Sequence, residues 1–142
     1  MTYLKPPGLT RHLVNPLVSR LHTGGVATLT VVGRSSGQPR TVPVIPVEVD
    51  GVRYLVSPFG ESEWVRNLRH AGTGHLDRKS GRELFRADEL PVSQRPPIIA
   101  AYRRGARRDV DLYFTRLPDP ADHPVFRLAP AEPREDAAGS TP

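Results

Sequence analysis

At 142 residues the chain can close one core, while its 16 prolines and 12 glycines, nearly a fifth of all positions, exclude a long helical bundle or coiled coil. With no cysteine there is no disulfide framework, thiolate metal site or thiol nucleophile, and with no apolar run of about 18 residues no segment reads as a membrane span. Net charge is +5, from 20 Lys and Arg against 15 Asp and Glu, and the first 128 residues carry all but one of the basic groups. Such a body suits nucleic acid, an anionic lipid surface or an anionic small molecule, and composition does not choose among them.

In chain order, the start MTYLKPPGLTRH lacks the apolar stretch of a secretory signal, so a cytoplasmic location is expected. Leu9, Leu13, Leu17 and Leu21 then form one helical stripe, and Asn15-Pro16 predicts a helix of about two turns from Pro16. The period changes at Val26–Val32, a β-branched strand ending at Gly33. Thr41–Val49 reads as a second strand whose two prolines demand an edge or a bulge. Asp50-Gly51 is a hairpin turn leading into Arg53–Ser57.

After Ser62, read as an N-cap, Trp64, Val65, Leu68 and Ala71 make one helical face that Gly72 ends. His75–Arg78 and Glu83–Ala87 predict a hairpin around Ser80-Gly81. Pro96–Arg104 is a second helix with Ile98, Ile99 and Tyr102 inward, and Val125–Leu128 a last strand. Strands joined by tight turns with helices inserted predict an α+β small antiparallel barrel spanning residues 1–128. Residues 129–142 lack a periodic apolar face and are expected to be disordered.

Two stretches could carry chemistry. In Gly33-Arg34-Ser35-Ser36-Gly37-Gln38-Pro39-Arg40, two glycines let the backbone turn and expose amides, two serines add hydroxyls, and two arginines flank the turn. That combination suits a phosphate or carboxylate, and the alternative is a solvated hairpin loop. It is neither a Walker loop nor a dinucleotide fingerprint, since neither Gly-Lys-Ser/Thr nor a helix follows. In Ser57-Pro58-Phe59-Gly60-Glu61-Ser62-Glu63-Trp64-Val65-Arg66-Asn67, a strand ends and a helix begins carrying the only tryptophan, with Asn67 one turn beyond it. Helix-terminal amides beside an indole suit a planar anionic heterocycle, and the alternative makes Trp64 plain core.

Nothing else competes. The five histidines show no metal-ligand spacing, so no metal is expected. Arg103, Arg104, Arg107 and Arg108 follow a helix without interleaved stacking aromatics, so nucleic acid is not the expected partner.

Taken in order, LTVVGRSSGQPRTVPV, the Asp50-Gly51 hairpin and VSPFGESEWVRNLR resemble the deazaflavin-dependent nitroreductase family, and the likeness runs from about Leu9 to His123–Leu128. The resemblance implies a split β-barrel related to flavin-mononucleotide-binding proteins. It implies coenzyme F420 as hydride carrier, with flavin mononucleotide the alternative, and an oxidoreductase acting on nitroaromatics, quinones or activated alkenes.

Carried over by position, Arg34, Ser35, Ser36, Gly37, Gln38 and Arg40 would hold the phosphate and acidic tail, with Arg40 the chief counter-ion. Pro43 and Val44 would lie beside the ring system. Ser57, Pro58, Phe59 and Gly60 would line its edge, and Trp64 with Asn67 would brace that wall. Ser57 is the candidate donor to the acceptor's oxygen. Tyr102 and Tyr113 are weighed as proton sources and expected to be core. One departure is Ser35, where the family commonly has a lysine. The competing reading is a non-catalytic binder of a flavin, deazaflavin, haem or anionic lipid on the same barrel. A small-molecule substrate is the expected partner. Monomer and homodimer fit the sequence equally, as does peripheral membrane contact through the N-terminal helix.

Overall fold

Alternation of β-branched and polar residues, broken at intervals of five to ten residues by Gly, Pro and Asp, makes a chain of short strands. The computed structural model describes residues 25–131, and the helix expected from Pro16 lies outside them. The strands are β1 (Ala27–Val32), β2 (Pro39–Val44), β3 (Val47–Val49), β4 (Val52–Val56), β5 (Thr73–Arg78), β6 (Gly81–Glu89) and β7 (Val125–Pro130). They form one antiparallel sheet in the order β2-β1-β5-β6-β7-β4-β3. Helix α1 (Glu63–Ala71) follows β4, while α2 (Pro96–Arg104) and α3 (Arg108–Arg116) join β6 to β7. This is the expected α+β split barrel.

The segment read as one strand over Thr41–Val49 is two. The chain breaks at Ile45-Pro46, and its halves become the opposite edges of the sheet. Proline cannot donate to a ladder on both sides, so the edge expectation holds while the single strand does not. The Asp50-Gly51 turn has φ of 50° and 80°, the left-handed pair that a two-residue hairpin needs. Gly72 ends α1 at φ 77°, its N–H donating to the Leu68 carbonyl at 2.7 Å. β7 continues through Ala129 and Pro130, opposite Arg86 and Phe85, two residues past the expected end of the domain. Residues 132–142 of the expected tail lie outside the described residues.

The core has two parts. Leu29, Val31, Leu55, Leu76, Phe85, Phe126 and Leu128 fill the concave face and receive Val65 and Leu68 of α1. Val47, Val56 and Val125 face the other way, against Ile98, Ile99, Tyr102, Val110 and Phe114. Helix α1 is also tied by charge. Arg69 donates both Nη atoms to the Glu61 carboxylate at 2.9 Å, and its Nε and Nη2 to Glu89 at 2.7 and 2.8 Å. Arg95, 7% exposed, joins Glu89 at 3.3 Å and donates to the carbonyls of Leu90 and Pro120. The cluster clamps the turn before α1 to β6 and to the approach of β7.

The Arg69 hydrogen bonds hold the Glu61 carboxyl below its ordinary range, against the opposing effect of burial. A folded-state value that is depressed adds stability above the unfolded carboxylate value of about 4.3, and loses it as pH falls through the folded value. Glu61→Gln should therefore cost roughly 1–3 kcal/mol at pH 7. The gap between its melting temperature and the wild type's should narrow as pH falls from about 4.3 through the lower folded-state value. Thermal melts of both proteins from pH 3 to 7 check this, and a difference independent of pH would contradict it.

Candidate active site

The Gly33–Arg40 loop joins β1 to the edge strand β2. The Gly33 N–H donates to the Gln38 carbonyl at 2.8 Å, and the Gly37 N–H to the Gly33 carbonyl at 2.9 Å. Gly37 sits at φ 73°, where glycine costs least. The Ser36 hydroxyl accepts from the Gln38 N–H at 3.1 Å. A Cβ on Gly33 would meet Ser36 Oγ at 2.8 Å and Arg40 Nε at 3.4 Å, so the missing side chain lets both close over the turn. The amides of Ser35 and Ser36 have no partner among the described residues.

Asn67 fixes this loop from α1. Its Oδ1 accepts from the Arg34 backbone N–H at 3.0 Å and from Arg34 Nη1 at 2.8 Å, and Asn67 is 5% exposed. Arg34 Nη1 also pairs with Glu63 at 2.9 Å. Arg34 is thus spent largely on holding the loop to the helix. The Arg40 side chain has no hydrogen-bond or ion-pair partner among the described residues and is exposed.

Strand register assigns the faces. Arg40 pairs with Val31, Val42 with Leu29 and Val44 with Ala27, so these three β2 side chains share the concave face. Pro43 pairs with Thr28 and faces the opposite side. Pro43 and Val44, expected beside the ring system, therefore present their side chains to opposite faces of the strand. Val42, which the sequence did not single out, shares the face of Arg40 and Val44. Trp64, Val42 and Val44 are each part-buried against the same core cluster, the indole 6.1 Å from the Phe126 ring.

The second stretch forms the turn from β4 into α1. Ser57, Pro58 and Gly60 are buried, while Phe59 is half-buried and meets Tyr113 edge-on at 4.7 Å. The Ser57 hydroxyl donates to the Gly60 carbonyl at 2.6 Å and is 0% exposed. Its expected role as donor to an acceptor is corrected: the proton is committed to the turn. His123, 1% exposed, spans from the Ser57 carbonyl, 2.9 Å from Nδ1, to the Leu117 carbonyl, and stacks on Phe114 at 4.2 Å. Ser62 stands at the N-cap position, but its side chain makes no cap bond, and its buried Oγ has no partner. The first-turn amides of α1 consequently lack a side-chain cap. Tyr102 is buried against Phe114, where burial pushes its phenol well up, and it belongs to the core as expected.

Sequence reasoning missed Glu61, Arg69, Arg95 and His123, whose partners, Glu89 for Arg69, Pro120 for Arg95 and Ser57 for His123 among them, are brought together across elements by the fold. No curated protein matches the chain. Among solved structures, a protein of unknown function from Agrobacterium tumefaciens is 21% identical with a TM-score of 0.61, covering 91% of this chain. This chain spans only 58% of that protein's length. An F420-H2 dependent reductase is 23% identical over 73% of this chain and 93% of its own, with a TM-score of 0.54. A Clostridium acetobutylicum protein of the pyridoxinephosphate oxidase family, related to general stress protein 26, is 16% identical over 82% of this chain and 80% of its own, with a TM-score of 0.50. These likenesses show the fold, a split barrel.

The family model for F420H(2)-dependent quinone reductase matches residues 8–111. The chain belongs to that family, and is an oxidoreductase whose cofactor is coenzyme F420. Among the described residues no helix is long and apolar enough to cross a membrane.

The Asn67 contacts generate a direct test. Asn67→Ala leaves the Arg34 N–H without its acceptor and should cost about 1–3 kcal/mol of stability. Amide exchange at Arg34–Gln38 should rise with it, while exchange in β5–β6 stays unchanged. Equal change in both regions would show that Asn67 serves the core and not the loop.

Proposed function

We propose that the protein passes hydride from reduced coenzyme F420 to a small organic acceptor of quinone, nitroaromatic or activated-alkene type. In this reading the Gly33–Arg40 loop, the concave side of β2 and Trp64 hold the coenzyme. One observation supports the placement most. An unpaired guanidinium, Arg40, stands in line on one face with half-buried Val42 and Val44, which pack against the same core cluster as the half-buried indole. A planar ring carrying an anionic tail matches that sequence of surfaces.

The donor set fits the group. Two free amides at Ser35 and Ser36 and the Arg40 fork are oxyanion donors, and the uncapped first turn of α1 presents further N–H groups. The bound coenzyme supplies hydride from its central ring carbon. The chain itself supplies position. Val42, Val44 and Trp64 set the ring plane and exclude water from one side, and Arg40 with the loop amides fixes how far along β2 the tail reaches. Pro58, Phe59 and Gly60 form a turn braced by Ser57 and His123, against which the ring edge would rest. Productive transfer needs the acceptor within about 3–3.5 Å of the donating carbon, so rigid walls serve rate directly.

The acceptor class is checked by mixing reduced coenzyme with menadione, a nitrobenzoate or a cyclohexenone and following reappearance of oxidised coenzyme. Saturable coenzyme binding without turnover of any of the three would leave a binding module. Arg40→Ala should weaken coenzyme binding about ten- to a hundredfold, the equivalent of about 1.5–3 kcal/mol for a charge-assisted contact. Arg40→Lys should recover part of the loss, keeping charge but not the fork. The melting temperature should barely move, because an exposed arginine contributes little to folding. Arg104→Ala, on α2, is the control, and an equal loss there would mean diffuse attraction by the basic body. Ligand should also quench the fluorescence of Trp64, the sole tryptophan. Emission unchanged at saturation would remove the indole from the site.

A further inference from the structure

At the last position of β5, Arg78 presents two donors with nowhere to go. Its Nε and Nη2 are both buried and without a hydrogen-bond partner. These two atoms form one edge of the guanidinium, the side-on fork that matches a pair of carboxylate or phosphate oxygens. Strand alternation puts Arg78 on the face of buried Gly74 and Leu76. The acids around it are committed. Glu83, opposite Leu76 on that face, receives Arg53, and Asp77, on the other face, pairs with Arg82 at 3.2 Å. Arg53 is answered by Glu83, while the Arg78 Nε and Nη2 have no acceptor among the described residues. Donors of a charged group hidden from water without an acceptor are costly, and an oxyanion on the fork removes that cost.

We propose that Arg78 is the centre of a second oxyanion site, which takes a carboxylate or phosphate group side-on. It is separate from the Gly33–Arg40 loop. Asp77 pairs with Thr28, so Arg78 adjoins the Ala27 end of β1, while the loop leaves from Val32. Five steps of strand, about 17 Å, lie between them. The same chemistry has two sources. One is a small free oxyanion. The other is the chain's own Glu132, Glu135 and Asp136, which follow directly on Ala131, the last described residue, whose N–H donates to the Leu84 carbonyl of β6 at 3.2 Å. The first 24 residues contain no Asp or Glu.

The Arg78 Nε–Hε resonance of the full chain, assigned by its loss in Arg78→Lys, reads the site. Acetate and inorganic phosphate are titrated at ionic strength matched with chloride, into the wild type and into the triple variant Glu132→Gln, Glu135→Gln, Asp136→Asn. Saturable movement in both proteins supports a site for free oxyanions. A resonance that shifts on triple substitution, and only then titrates, supports occupation by the chain's own carboxylates. No saturable movement in either protein, or equal movement with chloride, overturns the proposal. As a second measure, phosphate should raise the melting temperature of the wild type or the triple variant, and Arg78→Lys should weaken that effect about tenfold in apparent Kd, since lysine has no fork. Arg40→Ala should leave the titration unchanged, so failure here and failure of the coenzyme reading are separable.

Discussion

The structure depends most on one guanidinium. Arg69 lies on α1 and grips two carboxylates from different parts of the chain, Glu61 in the preceding turn and Glu89 at the end of β6. Val65 and Leu68 on the same helix are fully buried in the concave face, but apolar contact alone would let a nine-residue helix slide or rotate. The bidentate geometry removes that freedom. It fixes where Asn67 stands, one helical turn from Glu63, and so where Arg34 and its loop are held. The Gly33–Arg40 loop is positioned from the helix as much as from the strands it connects.

A division of labour among the arginines follows. Arg34, Arg69 and Arg95 are absorbed into hydrogen bonds with the protein, whereas Arg40 is not. A basic sequence therefore says little about ligand binding until its structural arginines are subtracted. In this chain the subtraction leaves few cations in concave positions, which makes specific recognition of an oxyanion easier to separate from general attraction.

Much of this architecture was legible. β1, the Asp50-Gly51 hairpin, α1, α2 and the β5–β6 hairpin follow from short-range rules: period, turn chemistry and helix ends. Helix α3 escaped because only Val110 and Phe114 mark its buried face, one turn apart, while Arg107, Arg108, Asp109 and Asp111 give its start the look of a charged loop. The split at Ile45-Pro46 escaped because the flanking residues keep a strand-like composition on both sides. Within the site, the loop and the turn were legible as motifs. What each side chain does there was not. Ser57 reads as a reactive hydroxyl in sequence, and only its 2.6 Å bond to Gly60 shows it holding a turn. Asn67 reads as a neighbour of Trp64, and only the fold brings Arg34 to it. Val42 was hidden by its proline neighbour, because face assignment needs a register that the sequence does not carry.

The prolines of β2 have a consequence for the molecule's sociability. Alternate residues of a strand direct their N–H groups to the same side, so Pro39, Thr41 and Pro43 share one edge, and only Thr41 has a hydrogen to give there. The ladder to β1 uses the other side, and among the described residues no strand pairs with this one. A second chain seeking to extend the sheet would find two of its three expected donors missing. The margin can therefore stay uncovered for a small ligand without inviting strand-to-strand aggregation, the hazard of any unpaired β edge.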